Sequence, residues 1–316
     1  MGQNERTSAP DEAELMTQVA RMFYQDNLTR VEIADRLNTS RFKVARILDA
    51  ALKTGVVTIT IRPPGMVDRK LSDELANRYQ LREAHVVRFA GTGLSELYAR
   101  LGQVVAELLT ESVTPADVLG FDSGRTVSHI ADHLTAMPPC DVVQLSGLAG
   151  PLHQNGLDIL RRVTEITGGT AYPLYAPMIA PDALSALALC QHPGIQTTME
   201  HYRHVTVAIV SVGSWIPPIS QAYDRLTPRE RSDLLRAGVI ADTCAFVFGG
   251  DGRLVPALND RRIGIPLPDL RAVPRVIAVA GGEAKATAIR ALLMSGILKG
   301  LVTDETTAYA LLKAPA

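Results

Sequence analysis

The feature that most constrains the fold is an alternation of short apolar runs and amphipathic stretches, which begins after Arg62-Pro63-Pro64-Gly65. The apolar runs have the length of buried strands and span residues 84–88, 118–121, 142–145, 205–212, 244–248, 276–280 and 300–302. The stretches with helical periodicity span residues 67–79, 94–111, 125–136, 157–167, 181–191, 227–237, 284–295 and 304–312. Strand, loop and helix in repetition predict a Rossmann-like, mostly parallel sheet covered by helices on both faces, which is a three-layer α/β/α domain.

The region before this alternation has a different pattern, typical of three short helices. Apolar residues at helical spacing predict the first helix: Leu15, Val19, Met22 and Phe23. Thr29 and Glu32 have the form of a capping box at the start of a second helix, and Ser40 suits the N-cap of a third. The third helix, residues 41–53, carries one apolar stripe, made of Val44, Ile47, Leu48 and Ala51. The arrangement predicts a small all-α helix-turn-helix domain, to which an alternating run at 57–61 would add a wing.

Two adjacent prolines, Pro63 and Pro64, resist both helix formation and strand pairing, so we expect the domain boundary there. The chain has 316 residues, which is enough for two domains. We predict a helix-turn-helix domain over residues 1–61, a linker over 62–66 and an α/β domain over 67–316.

Charge is almost balanced over the whole chain but not along it. Lys and Arg number 32 against 33 Asp and Glu, a formal net charge of −1, which excludes a uniformly basic nucleic-acid binder. Between Arg41 and Arg62, however, five cations stand against the single anion Asp49. The exposed face of the third helix carries three of these cations, which are Lys43, Arg46 and Lys53.

The cationic third helix of a helix-turn-helix is the element that enters the major groove of double-stranded DNA. The residues predicted to contact operator DNA are Thr29, Ser40, Arg41, Phe42, Lys43, Arg46 and Lys53. Two alternatives stay open from the sequence. The cationic face can be an ordinary solvated helix surface, and Phe42 can either touch a thymine methyl group or pack back onto the first helix.

Three loops that follow predicted strands and open predicted helices are rich in glycine and polar residues: 120–126, 144–150 and 280–285. In a parallel sheet such loops meet at the carboxyl edge, where ligands bind. The hydroxyls of Ser123 and Thr126 and the amino group of Lys285 are donors suited to an anion or to ligand hydroxyls. Any one glycine loop can be no more than a turn, but three at one edge predict a ligand pocket.

Several motifs resemble the effector domain of the SorC/DeoR family of sugar-binding transcriptional regulators. They are residues 260–271, 274–286 and 301–305 and the run Gly124-Arg125-Thr126-Val127, so that with the helix-turn-helix the resemblance covers nearly the whole chain. It implies a bacterial regulator of a carbohydrate or polyol catabolic operon, whose binding to operator DNA is controlled by a sugar, polyol or sugar-phosphate effector held by residues 67–316. It also implies self-association as a dimer or tetramer, and an effector domain related in fold to sugar-phosphate isomerases and deaminases.

The resemblance assigns effector-binding roles at the matching motifs. These residues, with their neighbours in the same loops, are Ser123, Gly124, Arg125, Thr126, Ser146, Gly147, Asn155, Asp242, Gly281, Gly282, Glu283 and Lys285. Asp242 is similar to a hydroxyl-binding carboxylate before a strand, and the loop of Gly124, Arg125 and Thr126 to one that holds a phosphate or hydroxyl end. The sequence departs from the family at Asp122-Ser123, where Ser-Trp is common. A carboxylate beside a phosphate is unfavourable, so the departure suits the hydroxyls of an unphosphorylated sugar or polyol.

Other chemistries find weaker support. His129 and His133 have the spacing of a metal pair but lack a third ligand, so neither a metal nor another cofactor is expected. Asp242, Glu283 and Lys285 could serve as acid, base or imine-forming groups of a sugar-phosphate isomerase or deaminase. A DNA-binding module would be superfluous in such an enzyme, so a regulator that is not an enzyme is the favoured interpretation.

The cysteine pattern indicates the compartment. Cys140, Cys190 and Cys244 are too few and too widely spaced for a disulfide framework, so we expect reduced core residues in a cytoplasmic protein. The first residues are polar and lack the apolar run of a secretory signal. The apolar runs are also too short to cross a bilayer, and no membrane partner is expected.

Overall fold

The computed structural model describes residues 9–57, 65–150 and 156–314, with side chains from residue 13 onward. The chain divides into two compact units, Met1–Pro64 and Gly65–Ala316. The predicted linker, 62–66, and the predicted wing, 57–61, lie for the most part outside the described residues, so both stay predictions.

The first unit is built from three helices: α1 (Ala9–Tyr24), α2 (Arg30–Arg36) and α3 (Arg41–Lys53). An apolar stripe from each helix contributes to one small core, whose fully enclosed members are Val19, Ile33, Ala34, Val44 and Leu48. Ile47 and Met22 are half-buried at its margin. The structure therefore confirms three helices packed by the apolar spacing that predicted them.

Side-chain caps define where α2 and α3 begin. The Thr29 hydroxyl accepts a hydrogen bond from the Glu32 amide, and the Glu32 carboxylate accepts one from the Thr29 amide, which completes the predicted capping box. The Ser40 hydroxyl accepts from the Lys43 amide at 3.2 Å. Asn38, in the turn between the two helices, has a φ of 47°, a left-handed conformation that asparagine tolerates.

The second unit contains a seven-stranded parallel sheet and a five-stranded antiparallel sheet. Its strands are β1 (Glu83–Val87), β2 (Val118–Phe121), β3 (Asp141–Gln144), β4 (Ala171–Tyr172), β5 (Val207–Ser211), β6 (Gly213–Trp215), β7 (Pro218–Ile219), β8 (Val239–Thr243), β9 (Phe246–Gly249), β10 (Leu254–Val255), β11 (Arg275–Val279) and β12 (Gly300–Asp304). Its helices are α4 (Arg69–Tyr79), α5 (Leu94–Ser112), α6 (Arg125–Ser128), α7 (Gly156–Thr167), α8 (Ala183–Cys190), α9 (Pro193–His201), α10 (Gln221–Asp224), α11 (Pro228–Arg236), α12 (Leu267–Ala272), α13 (Ala286–Met294) and α14 (Glu305–Lys313).

Helices cover both faces of the large sheet, whose order is β1-β12-β11-β5-β2-β3-β4 with every pair parallel. Successive strand residues point to opposite faces. Val143 and Ala278 pack on one face with α4, α13 and α14. Val142 and Ile277 pack on the other face with α5, α6 and α7. The structure thus confirms the predicted mostly parallel, three-layer α/β/α domain.

The antiparallel sheet, of order β10-β9-β8-β6-β7, corrects the prediction for residues 244–248. The apolar pattern predicts one strand of the parallel sheet there, but Cys244 and Ala245 form the tight turn between antiparallel β8 and β9. Their φ angles of 48° and 59° are left-handed, which is uncommon for residues with a Cβ, so nothing in the sequence marks the reversal. Asp242 accordingly lies within β8 and not before a strand.

The predicted helix over 125–136 is also wrong beyond its first turn. α6 ends at Ser128, and the following amides bond three residues back, for example His133 to the Ile130 carbonyl at 3.1 Å. Ile130 and Leu134 are nevertheless buried in the core. Successive turns can bury the same apolar residues as a helix, and this is why the spacing was misleading.

Two sequence expectations concern the surroundings of the protein. The thiols of Cys140 and Cys244 are free and buried, as predicted, whereas Cys190 is half-buried. Among the described residues, no helix is both long enough and apolar enough to cross a membrane.

Candidate functional site

A cavity lies at the carboxyl ends of β2 and β5, beside the antiparallel sheet. We call it the effector cavity. Six of the predicted effector-binding residues line it: Ser123, Gly124, Arg125, Thr126, Asp242 and Lys285. They come from distant parts of the sequence and meet because the loops after parallel strands share one edge of the sheet.

The carboxylate of Asp122 is the centre of a buried hydrogen-bond network beneath this loop. Its Oδ1 accepts from the Ser123 amide at 2.8 Å and from the Ser146 hydroxyl at 2.5 Å. Its Oδ2 accepts from the Ser211 hydroxyl at 2.7 Å, the Ser211 amide at 3.2 Å and the Cys244 amide at 3.4 Å. Asp122 is only 1% exposed, and its hydrogen bonds link the end of β2 to the loop after β3, to β5 and to the turn between β8 and β9.

This network changes the interpretation of the Asp122-Ser123 departure from the family pattern. The sequence suggests a carboxylate that competes with a phosphate. In the structure both oxygens of Asp122 already accept hydrogen bonds from protein donors. Asp122 therefore anchors the loop, but its hydrogen-bond donors are all neutral, so its negative charge remains beside the cavity.

Asp242 presents a second buried carboxyl group, which borders the cavity from β8. Its Oδ1 accepts from Trp215 Nε1 at 2.8 Å and from the Ser220 hydroxyl. Gly213 lies so close that a Cβ there would stand 2.2 Å from Oδ1. Burial raises the pKa of Asp242 to about 6, and the charge of Asp122 acts in the same direction. Oδ2 has no hydrogen-bond partner among the described residues and is available to a ligand.

Lys285 is a buried cation on the border of the same cavity, with only 7% exposure. Its Nζ donates a hydrogen bond to the Val212 carbonyl at 2.7 Å. Burial, and after it the charge of Arg125, lower the pKa of Lys285 to about 8, whereas the charge of Asp242 acts in the opposite direction. Because an ammonium group has three donors, two remain for a ligand.

Arg125 and its neighbours complete the polar lining. Arg125 is half-buried, and its side chain makes no hydrogen bond or ion pair with any described residue. Thr126 is buried, and the Ser123 hydroxyl accepts from the Gly156 amide at 3.1 Å. A half-buried guanidinium without a counter-ion is well suited to an anionic or strongly polar ligand group.

The remaining predicted effector-binding residues of the described chain do not line the cavity: Ser146, Gly147, Gly281, Gly282 and Glu283. Ser146 is buried as a partner of Asp122, and Glu283 is exposed. The Gly282 amide donates to Asp304 Oδ1 at 2.7 Å, so the glycine loop packs against β12. Asn155 lies outside the described residues.

The cavity also contains hydroxyls that the sequence did not single out. Ser211 ends β5, so the rule that ligands bind at the carboxyl edge could have found it. Ser220 caps α10 after the short β6–β7 hairpin and contacts Asp242. No spacing or motif pointed to Ser220, because the antiparallel sheet that brings it to the cavity was not predicted.

The predicted DNA-contacting residues of the first unit lie largely on an exposed surface of α3. All five of those on the helix itself are exposed: Arg41, Phe42, Lys43, Arg46 and Lys53. In the described part of the chain, none of these cations makes an ion pair. Thr29 and Ser40 use their hydroxyls as helix caps.

The position of Phe42 distinguishes between the two alternatives that the sequence left open for its ring. It is 69% exposed and is not a member of the apolar core of the first unit, so packing onto the first helix is wrong. The Arg41 guanidinium lies 5.0 Å from the centroid of its ring. A large apolar ring is thus held on the surface at the N-terminal end of α3.

A metal centre has no support in the described ranges, where no three His, Cys, Asp or Glu side chains cluster with suitable geometry. His129 Nδ1 instead lies 3.1 Å from Asp132 Oδ2.

Comparisons with known proteins identify the family. Residues 66–313 match the family model described as "Putative sugar-binding domain". The transcriptional regulator LsrR of Klebsiella pneumoniae subsp. pneumoniae is 30% identical over 313 residues, which cover 95% of this chain and 93% of the relative. The chain belongs to the SorC/DeoR family of sugar-binding transcriptional regulators. The resemblance drawn from its motifs is confirmed, and the protein is a sugar-responsive transcriptional regulator.

Two other proteins are also similar over nearly the whole chain. The deoxyribonucleoside regulator of Bacillus subtilis is 28% identical over 306 residues, covering 95% of this chain and 98% of the relative. The crystal structure of the full-length sorbitol operon regulator SorC from Klebsiella pneumoniae matches with a TM-score of 0.72 at 24% identity. That match covers 96% of this chain and 100% of the other, and it concerns the fold.

Proposed function

We propose that the regulator binds operator DNA through the exposed face of α3 and that a sugar, polyol or sugar phosphate in the effector cavity controls this binding. The observation that carries the proposal is the combination in one chain of an unpaired cationic helix face with a buried polar cavity. On both surfaces, polar groups remain free of protein partners in the described residues, as on Arg46 of α3 and on Arg125 and Asp242 Oδ2 of the cavity.

The DNA side of the proposal follows from the position of each group on α3. Arg41, Lys43 and Arg46 can donate to guanine O6 and N7 or to phosphates, and Phe42 can contact a thymine methyl group. Lys53, at the far end of the helix, suits a backbone phosphate. Thr29 and Ser40 lie at helix N-termini, where amides favour phosphate oxygens.

The effector side of the proposal follows from the mixture of donors and acceptors. Asp242 Oδ2 can accept a hydrogen bond from a ligand hydroxyl, and the free donors of Lys285 and the hydroxyls of Ser123 and Thr126 can bind ligand oxygens. Such a set suits a compound with several hydroxyl groups. Arg125 adds a site for its most electronegative end.

The regulatory step is a shift between arrangements of an oligomer. Palindromic operators need two-fold symmetry, so we expect a dimer or tetramer that presents several copies of α3. An effector with different affinities for the two arrangements changes their populations and thereby operator occupancy. Control of a carbohydrate or polyol catabolic operon is the biological role that fits this chemistry.

Catalysis is not part of the proposed function. Of the three candidate acid, base or imine-forming groups, Glu283 is exposed and lies outside the cavity lining. Lys285 already donates to the Val212 carbonyl. A sugar-phosphate isomerase or deaminase would need an acid and a base placed beside the same substrate carbon.

Binding to the DNA upstream of the regulator's own gene tests the proposal. In fluorescence anisotropy at low salt we expect saturable binding that exceeds binding to an unrelated duplex. At least one tetritol, pentitol or phosphate ester of these should change the affinity. Absence of DNA binding in every condition would refute the proposal, and turnover of a phosphosugar by the purified protein would favour the enzyme instead.

A further inference from the structure

Asp304 is a buried carboxylate at the junction of β12 and α14. It is the last residue of β12 and the N-cap of α14, and it is only 2% exposed. The described lining of the effector cavity does not include it. Its motif, residues 301–305, contributed to the family resemblance, but no role in the site followed from that resemblance.

Both carboxylate oxygens of Asp304 accept hydrogen bonds. Oδ2 accepts from the Thr307 amide at 3.2 Å and from the Thr306 hydroxyl, both in the first turn of α14. Oδ1 accepts from the Thr307 hydroxyl at 2.6 Å and from the Gly282 amide at 2.7 Å. Burial acts to raise the pKa of Asp304, but these hydrogen bonds hold it below its ordinary value, so the group stays ionised. The bond from Gly282 connects the start of α14 to a separate loop.

The glycines of that loop allow its backbone to pack directly on Asp304. A Cβ on Gly281 would stand 2.6 Å from Asp304 Oδ1 and 2.8 Å from Leu101 Cδ1, which is closer than side chains approach. Gly282 has a φ of 95°, a backbone conformation that favours glycine. The two glycines are therefore explained by contact with a buried carboxylate, and not by direct contact with an effector.

The same loop carries Lys285 to the effector cavity. After Gly282 the backbone forms one 3-10 turn, Glu283–Lys285, in which the Lys285 amide donates to the Gly282 carbonyl at 2.8 Å. The Lys285 side chain borders the cavity, where its Nζ donates to the Val212 carbonyl at 2.7 Å. Because Gly282 and Lys285 share one turn, a shift of Gly282 away from Asp304 would also move the base of the Lys285 side chain.

We propose that Asp304 is a positioning residue of the effector site, which fixes the glycine loop so that the Lys285 ammonium group faces the effector cavity. The inference rests on the proposed function for what Lys285 binds, but the placement of Lys285 can be tested without an effector. Asp304 acts through the backbone, since the charges that act on Lys285 are those of Arg125 and Asp242. Loss of a nearby negative charge would lower the pKa of a lysine, whereas release of a buried ammonium group into solvent would raise it.

The substitution Asp304→Ser separates the helix cap from the contact with the loop. A serine hydroxyl is a good N-cap for α14, but it lacks the second oxygen, which accepts from the Gly282 amide. The full-length regulator, labelled with [ε-¹³C]lysine, gives the pKa of Lys285 by NMR, and its resonance is identified by loss in Lys285→Ala. The pKa should rise from about 8 in the wild type towards the ordinary lysine value of about 10.

Asp68→Ser is the matched control, because Asp68 caps α4 by accepting from the Leu71 amide at 3.0 Å. It should leave the pKa of Lys285 unchanged. Gly281→Ala provides an independent test if Asp304→Ser does not fold. Its Cβ would meet Asp304 Oδ1 and displace the loop while the carboxylate stays, so the pKa of Lys285 should again rise.

Effector affinity gives a second measurement. Where a tetritol or pentitol, free or phosphorylated, alters DNA binding by the wild type, Asp304→Ser should weaken its binding about tenfold, as expected for loss of one hydrogen bond to a charged group. In a protein that already carries Lys285→Ala, Asp304→Ser should have no further effect on this affinity. Additive effects of the two changes would overturn the positioning role.

The outcomes distinguish this inference from the proposed function. An unchanged or lowered pKa of Lys285 in Asp304→Ser and Gly281→Ala would overturn the positioning role, whether or not an effector is found. An equal rise in Asp68→Ser would overturn it as well, because any weakened helix cap would then have the same effect. A rise specific to the first two variants, together with failure of every tetritol, pentitol and phosphate ester to alter DNA binding, would support the role and refute the proposed effector control.

Discussion

The exposed face of α3 and the effector cavity both contain charged side chains, but these differ in their exposure to solvent and in their protein partners. On α3, Arg46 and Lys53 are exposed and make no ion pair in the described part of the chain. In the cavity, Asp122 is 1% exposed and accepts hydrogen bonds from several elements. Water screens the first kind of charge, whereas the second depends on its protein partners. Substitutions on α3 should therefore alter binding alone, while those in the cavity should alter stability as well.

Removal of the Asp122 carboxylate should have the largest effect on stability. Asp122→Ala leaves buried donors of Ser123, Ser146 and Ser211 without an acceptor, so we expect the free energy of unfolding to fall by about 1–3 kcal/mol for each unpaired donor. Chemical denaturation measures it. The control is Asp251→Ala, at an exposed carboxylate whose contacts are an ion pair with exposed Arg253 and a hydrogen bond from the Arg253 amide, and it should change stability by less than about 1 kcal/mol. Equal effects of the two changes would contradict the buried network.

A pH dependence of stability is the next largest effect. The pKa of Asp242, ordinarily near 4, is raised to about 6 in the folded protein. The folded state then binds the proton more tightly, so the stabilisation is complete below about pH 4 and is lost as the pH rises through 6. The difference corresponds to about 3 kcal/mol.

Asp242→Asn should remove this dependence, because asparagine resembles the protonated carboxyl group. Between pH 4 and 7, the free energy of unfolding of the wild type should fall by about 3 kcal/mol relative to the variant in urea titrations. Parallel curves for wild type and variant would show that the carboxyl group does not titrate as its burial requires.

Paired substitutions in the two regions test whether their functions separate. Arg46→Ala should weaken operator binding by about 1–3 kcal/mol without changing sugar affinity or stability. Lys285→Ala should do the reverse, retaining operator binding but losing the response to effector. Anisotropy and calorimetry on both variants measure the two activities. Arg21→Ala, at an exposed arginine of α1, is the control for a general charge effect. Loss of the same activity in both variants would contradict two separate sites.

The smallest expected effect concerns Thr29. This residue is predicted to contact DNA, but its hydroxyl also caps α2. Thr29→Ala should therefore cost about 1 kcal/mol in the stability of the first unit. Thr17→Ala, where the hydroxyl only bonds the Ala13 carbonyl within α1, should be nearly neutral. If the loss in operator affinity exceeds the loss of stability, Thr29 contacts DNA as well.

Prediction from sequence succeeded where structure is local or repetitive. The capping box at Thr29, the N-cap at Ser40 and the bounds of β2 depend on neighbouring residues, and the structure has all three. It failed at the turn of Cys244 and Ala245, because neither residue type indicates a left-handed backbone.

The candidate site shows the same division. The loop that holds Ser123, Arg125 and Thr126 could be found, because a polar glycine loop after a parallel strand signals a ligand edge. The anchoring role of Asp122 and the presence of Ser220 could not be found. Both depend on contacts between residues far apart in the chain, about 90 or 120 positions for Asp122.

Periodicity, local caps and recognisable motifs were enough to predict the two classes of architecture, the cationic face of α3 and the family. They did not show which polar groups are hydrogen-bonded within the protein and which are free, because that depends on the folded structure. Both oxygens of Asp122 accept from protein donors, whereas Arg125 and Asp242 Oδ2 have no partner in the described residues. The physical reason is that burial and hydrogen-bond satisfaction are properties of packed neighbours and not of residue type.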